Sequence, residues 1–280
     1  MIRRLSQKQA LALKAAGTYL YVTYSQVMRL GIEKHRSNIS GLFSGMRDCK
    51  RPLVRKIPHR NGTEAKHYLT EIGKEALLEL FEDLKEENIR YPKGVITSTT
   101  QDDTHRTNII DIEIELDLAC IQAQNVEITL KERYFDTVGN NRISKNLKSQ
   151  TAIPYDSKNC LKADLVFKLK TLVQEELYLL ELERGKDTKK AFQKCVNHGK
   201  AILLKSANQK YNFQSAYRTL WVFEFESIMY KTMERLREHI FFGNMTEFFL
   251  FKPLDRLQGD FFGGWKNVLG QDRDLYYLGS

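Results

Sequence analysis

Two apolar runs joined by a short link constrain this chain more than any other feature. Lys162-Ala-Asp164-Leu-Val-Phe-Lys-Leu169 reads as one strand and Glu176-Leu-Tyr-Leu-Leu-Glu181-Leu-Glu183 as its hairpin partner. Side chains alternate along a strand with a period of two, so Asp164, Glu181 and Glu183 share one face. A turn centred between Leu172 and Val173 sets Asp164 opposite Glu181, with Cβ atoms ~5 Å apart. The other face then carries Leu165, Phe167, Leu180 and Leu182, which read as core. Carboxylates crowded in this way repel one another unless a cation neutralises them. A hard divalent ion, Mg2+ or Mn2+, suits an all-oxygen set and leaves room for waters and a substrate phosphate. A solvated strand edge is the competing reading of the same residues.

Charge is distributed unevenly. The first 66 of 280 residues hold fourteen Lys and Arg against three acids, while the rest hold thirty against thirty-two. The whole positive excess of the chain, +9, therefore lies in its first quarter. Such an excess favours a polyanionic partner, nucleic acid before membrane. No stretch is long and apolar enough to span a bilayer, and no apolar signal segment follows the basic start, so the expectation is a cytoplasmic protein without membrane insertion. The four cysteines, Cys49, Cys120, Cys160 and Cys195, stand far apart, which argues against a disulfide framework or a zinc ribbon. The six histidines never pair as His-x-His or His-x-x-x-His, and the P-loop and G-x-S-x-G patterns are absent.

Along the chain, Ser6 is placed to cap a helix over 6–16 with Gly17 as its stop. A second helix spans Thr23–Leu30 and closes at Gly31, and Ser37 is placed to cap a third over 38–50. Leu53–Ile57 and Ala65–Leu69 flank Asn61-Gly62, a strong hairpin signal, and Thr70 caps a helix running to Phe81. Three helices, a basic hairpin and a closing helix is the order of a winged helix-turn-helix, and Tyr68-Leu69-Thr70-Glu-Ile-Gly73 resembles the exit from such a wing. The residues offered to DNA are Arg47, Lys50 and Arg51 near the third helix, and Arg55, Lys56, His59, Arg60 and Lys66 on the wing. A winged helix used for protein contacts is the alternative.

The polar run around Pro92 and Gly94 marks a linker. The expected organisation is a DNA-binding domain over 1–90, a linker over 91–104 and a mixed-sheet α/β domain over 105–280. In the second domain, 105–120 reads as a helix, Val126–Leu130 as a strand and 135–158 as loop. A basic helix over 188–204, a strand over 217–225, a helix over 228–240 and a last strand over 248–251 follow the hairpin.

The order Asp164, hairpin, Glu181-Leu-Glu183, then a Lys-rich helix resembles the restriction-endonuclease-like, PD-(D/E)xK, fold. In that fold the third motif position is often Lys; here it is Glu183. Lys194 on the following helix is the first choice for the missing positive charge, with Lys186 and Arg184 as alternatives. With His105 and Asn108 opening the domain and Glu181-Leu-Glu183-Arg184-Gly185 preceding the helix, the chain resembles the replication-relaxation family and, through it, the MobC-type plasmid relaxases. The resemblance implies a plasmid DNA relaxase that recognises an origin duplex and nicks one strand, aided by accessory mobilization or replication proteins. Asp164, Glu181 and Glu183 would be its metal ligands, and with Lys194 its catalytic residues. The alternative is a non-catalytic DNA-binding replication initiator or regulator with a decayed nuclease domain.

Overall fold

A computed structural model describes residues 5–57, 64–91, 103–138 and 148–275. The chain divides into two compact units, Met1–Ile114 and Glu115–Ser280. The first contains α1 (Gln7–Tyr19), α2 (Tyr24–Arg29), α3 (Arg36–Arg47), β1 (Val54–Ile57), β2 (Lys66–Leu69), α4 (Glu71–Leu80) and the start of α5 (Asp103–Ala123). The second contains the end of α5 and β3 (Glu127–Arg133), β4 (Thr137–Val138), β5 (Lys148–Ser149), β6 (Ala152–Pro154), β7 (Cys160–Lys162), β8 (Leu165–Lys170) and β9 (Glu175–Glu183). It continues with α6 (Thr188–Leu203), α7 (Ser206–Tyr211), β10 (Arg218–Phe223), α8 (Glu226–Glu238), β11 (Phe249–Pro253), β12 (Trp265–Asn267) and β13 (Asp272–Arg273). The class is mixed α/β. Among the described residues no helix is long and apolar enough to cross a membrane.

In the first unit, short polar side chains start three of the four complete helices. Ser6 and Thr23 each form a capping box with a Gln three residues on, and Thr70 accepts from the Gly73 amide at 3.0 Å. Two expectations fail. Helix α1 runs through Gly17, because the missing Cβ lets α4 approach: a Cβ there would meet a Leu77 methyl at 2.8 Å. The third helix begins two residues earlier than expected, with His35, not Ser37, at its N-cap and no side-chain cap bond among the described residues. Strands β1 and β2 pair antiparallel from Val54↔Leu69 to Ile57↔Lys66, and Val22 adds a bridge to His67. The hairpin tip, with His59, Arg60 and Asn61-Gly62, lies outside the described residues, as does most of the expected linker.

The start of α5 groups with this first unit through polar side chains. Lys66 is ion-paired with Asp103, Tyr21 shares a hydrogen bond with Thr107 at 3.1 Å, and Asp111 accepts from Gln26 at 2.9 Å and pairs with Arg29 at 3.2 Å. The division falls inside α5, after Ile114, and the expected linker over 91–104 lies within the first unit.

Two positions in this unit test its packing. A Cβ on Gly73 would lie 2.0 Å from the Leu53 carbonyl oxygen, a backbone atom that cannot step aside. Gly73→Ala is therefore expected to destabilise by roughly 2–3 kcal/mol through overpacking, where Ala in an open helix would gain ~1 kcal/mol; denaturant unfolding followed by far-UV circular dichroism measures it. His67 is fully buried, its ring stacked on Phe43 at 4.0 Å and Tyr24 at 5.3 Å, and neither ring nitrogen has a hydrogen-bond partner among the described residues. Burial, helped by the nearby Lys56 and Arg47 cations, pushes its pKa down to about 3. The unfolded chain then binds a proton below pH ~6.5 that the folded chain refuses, so stability is lost as pH falls from ~6.5 towards 3. Protection of the Val22 and His67 amides in hydrogen exchange should fall across that window, and His67→Phe should remove that pH dependence.

The second unit is built on a seven-stranded mixed sheet in the order β13-β12-β11-β10-β9-β8-β3. Strands β9, β10 and β11 are mutually parallel, whereas β8 is antiparallel to both β3 and β9, and β12 to both β11 and β13. Strand β9 is buried at every position from Leu177 to Glu183, as a central strand covered on both faces must be. On one face Trp221, Phe223 and Phe251 pack with α6 and α8, while Val166, Leu177 and Leu179 pack with α7 and the β6–β7 hairpin. On the other, Phe167 stacks on Tyr178 at 5.1 Å and meets Phe261 edge-on.

The expected loop over 135–158 instead holds, in its described parts, β4, β5 and β6, and β7 follows it. Lys162 belongs to β7 and not to the hairpin strand. Helix α7, β12 and β13 were also unexpected: elements of two to six residues are too short to carry a period.

Candidate functional site

The hairpin register is the one the alternation required. Leu165 pairs with Leu180 and Lys170 with Glu175, so Asp164, one residue before β8, falls opposite Glu181. The Asp164 amide donates to the Leu180 carbonyl at 3.0 Å, and Asp164 Oδ2 accepts from the Leu182 amide at 2.8 Å. That last bond puts a carboxylate where a strand residue would normally offer a carbonyl. It fixes the side chain at the edge of the ladder, beside Glu181. The residues expected on the far face, Leu165, Phe167, Leu180 and Leu182, are all buried.

Helix α6 closes the site. Asp187 caps it by accepting from the Lys189 and Lys190 amides, and its apolar side, Ala191 and Cys195, packs on Trp221 and Phe223. Those two residues lie beside Glu181 and Glu183 on β10, with Trp221 paired to Glu181 and Phe223 to Glu183. The helix thus descends over the acidic face. Residues four apart on a helix point the same way, and Lys194 and His198 together grip Glu181. His198 Nε2 is 2.7 Å from Oε1, and Lys194 Nζ is 2.8 Å from Oε2. The same ammonium donates to Glu183 Oε1 at 2.9 Å.

These four side chains differ in burial. Glu181 is 1% exposed and His198 fully buried, whereas the Lys194 side chain is 34% exposed. Burial alone would raise the Glu181 pKa, but Lys194 and the His198 hydrogen bond more than reverse that and hold the carboxyl below its ordinary range. Burial alone would equally depress Lys194, but Glu181, Asp164 and Glu183 together raise it, so the ammonium is retained. An ionised Glu181 can only accept, which assigns the Nε2–H tautomer to His198; its Nδ1 has no hydrogen-bond partner, and the ring stands edge-on to Trp221 at 5.1 Å. Beside this network the Cys195 thiol is pushed well above its usual pKa by burial.

Of the expected residues, the structure brings Asp164, Glu181, Glu183 and Lys194 into one cluster. Arg184 is turned to Glu224, paired at 2.9 Å, and Lys186 lies against the Phe225 ring. His105 and Asn108 lie on the first turns of α5, in the other unit. His198 was not singled out from the sequence, although its position four residues after Lys194 on a basic helix was the available signal.

The fit of a divalent cation to this set is divided. The oxygen-only donors and the excess of three carboxylates over one ammonium suit a hard ion. Yet both Glu181 oxygens are already engaged, and among the described residues no three Asp, Glu, His or Cys side chains are grouped to hold a metal. Asp164 and Glu183, flanking the Lys194 ammonium, are the carboxylates a cation would meet.

In the first unit, Lys50 and Arg51 are exposed just beyond α3, and Arg55 and Lys56 are exposed on β1. Arg47 is held by Asp48 in two bonds of 2.7 and 2.8 Å. Lys66 departs from expectation. It is 3% exposed, ion-paired with Asp103 and set over the Tyr21 ring, so it is a packed cation and not part of an outward basic face. Arg60 lies outside the described residues.

No family model matches the chain, and neither a curated protein nor a solved structure matches it.

Removing Lys194 would leave Glu181 buried with only His198 to offset it. Lys194→Ala is expected to destabilise the chain by roughly 2 kcal/mol, less than the ~3–5 kcal/mol of a fully buried pair because the ammonium is partly solvated. Both tryptophans, Trp221 and Trp265, lie in the second unit, so denaturant unfolding followed by tryptophan fluorescence reads this loss selectively.

Proposed function

We propose that this chain is a DNA-binding, metal-dependent nickase of the relaxase type, with a winged helix-turn-helix in its first unit and a restriction-endonuclease-like domain in its second. The observation that carries the reading is the meeting of Asp164, Glu181, Glu183 and Lys194 at the ends of β8 and β9 under α6. An opposed carboxylate pair, a third carboxylate two residues on and a lysine supplied from the next helix is the set that the resemblance implies. The charge asymmetry supports a polyanionic substrate, and exposed Lys50, Arg51, Arg55 and Lys56 would contact the phosphates of the origin duplex.

Within this reading each side chain has a separate task. Lys194 would offer its ammonium to the charge that develops on the phosphoryl oxygens. Glu181 and His198 position it, since they fix one side of the contact that aims it. Asp164 and Glu183 would hold Mg2+ or Mn2+, which when bound polarises a phosphoryl oxygen and acidifies a water.

A second reading has its own support. Lys194 already pairs with Glu181 and Glu183, and His198 holds the other Glu181 oxygen, so these carboxylates are engaged without a metal. That suits a replication initiator or regulator whose nuclease domain has lost its chemistry.

Nicking of a supercoiled plasmid carrying the cognate origin separates the two. The nickase should open the plasmid only with Mg2+ or Mn2+. Asp164→Ala and Glu181→Ala should abolish nicking, and Lys194→Ala should slow it ~10²-fold or more. Equal nicking by the wild type and an Asp164→Ala, Glu181→Ala double variant would overturn the assignment. Salt-dependent origin binding with no cleavage in either metal would establish the second reading.

A further inference from the structure

A cavity of about 720 Å³ lies in the second unit, away from the carboxylate cluster itself, and has no role in the chemistry above. Its volume falls within the range of small-ligand sites, ~300–1,000 Å³. Three lysines line it from three different elements: Lys148 from β5, Lys162 from β7 and Lys210 from α7. Glu132 is the one carboxylate among its described lining residues, which gives those residues a net positive charge. Ala152 and Pro154 add an apolar flank.

Two of the lysines have partners of their own. The Lys162 ammonium rests over the Tyr134 ring, 4.9 Å from its centroid, while Lys210 donates to the Gln150 carbonyl and lies 3.6 Å from Glu132. Burial lowers the Lys210 pKa against the opposing pull of Glu132, so this cation gains from an added anion. Cations distributed around a recess follow a chain of phosphates better than they clasp a single one. The apolar flank of Ala152 and Pro154 beside them leaves a surface for a sugar.

The recess is also tied to the strand entering the site. Lys162 precedes Asp164 by two residues, with buried Ala163 between them. The Tyr134 amide donates to the Asp164 carbonyl at 3.1 Å, Ser149 Oγ donates to the Tyr134 carbonyl at 2.7 Å, and Thr151 Oγ1 donates to the Ala163 carbonyl at 2.6 Å. The cavity wall and the backbone of Asp164 are therefore one hydrogen-bonded piece.

We infer that this cavity docks the phosphates of a single nucleic-acid strand, one or two nucleotides of it, on Lys148, Lys162 and Lys210, beside the segment that carries Asp164. The inference rests on the nickase reading for its ligand class, but not on cleavage. A duplex is too broad for the recess, and a nucleoside monophosphate supplies one phosphate where three lysines wait.

Cys160 lines the same cavity and is exposed, whereas Cys120 and Cys195 are buried. In a full-length Cys49→Ser chain, alkylation of Cys160 by iodoacetamide therefore reports occupancy, and EDTA removes any cleavage. A short single-stranded oligothymidylate at ten times its Kd should slow alkylation about tenfold. Thymidine monophosphate, inorganic phosphate and the matching duplex, at the same concentration, should give far less protection. Lys148→Gln with Lys162→Gln should abolish the protection and lower the salt slope of strand binding by about 1.4, at ~0.7 per phosphate contact on a single strand. Lys148→Arg with Lys162→Arg should restore it, which separates charge from folding.

Unchanged alkylation while fluorescence anisotropy shows the strand bound would overturn the inference, as would equal protection by the monophosphate or the duplex. Protection without plasmid nicking would keep the cavity and remove the nickase. Nicking without protection would do the reverse.

Discussion

The grip of α6 on Glu181 is the interaction on which the second unit's site depends. A carboxylate 1% exposed beneath a helix is tolerable only because Lys194 and His198 meet its two oxygens at 2.8 and 2.7 Å. The grip sets the rotation of α6, since a turn of the helix by one residue would bring Cys195 and Gly199 over Glu181 instead. It also sets what the rest of the cluster can do. Glu181 becomes a fixed anchor, Lys194 a cation aimed between two strands, and Asp164 and Glu183 the outer carboxylates of the group.

Strand β9 carries no lysine beside Glu183. The cation comes instead from the next element, with Lys194 Nζ of α6 at 2.9 Å from Glu183 Oε1. The arrangement is crowded, since three carboxylates share one ammonium, and the network remains net negative.

Much of this was legible from the sequence, and the parts that were not share a cause. The hairpin register followed from a period of two and the length of the turn, and the opposed pair Asp164 and Glu181 came with it. Lys194 was reachable because a basic helix following the strand must lie across its end. His198 was not, because a lone histidine inside an amphipathic helix carries no sign of what it faces. Lys66 was misjudged for a related reason: charge is visible in a sequence, but Asp103, the partner that buries it, comes thirty-seven residues later. The short strands β5, β6 and β7, which line the cavity with Glu132 and Lys210, lack the length to show a period, so the basic recess was invisible until the chain was folded. Gly17 was read as a helix stop where the structure uses it, like Gly73, for close approach.

The most direct test of the central claim is uptake of Mn2+ followed by electron paramagnetic resonance. The wild-type chain should take up about one ion in this oxygen-lined site, and Asp164→Asn and Glu183→Gln should each weaken it by ~10–100-fold. Uptake that is identical in all three chains, or undetectable in the wild type, would contradict the claim that these carboxylates form a metal-dependent phosphodiester-cleaving centre.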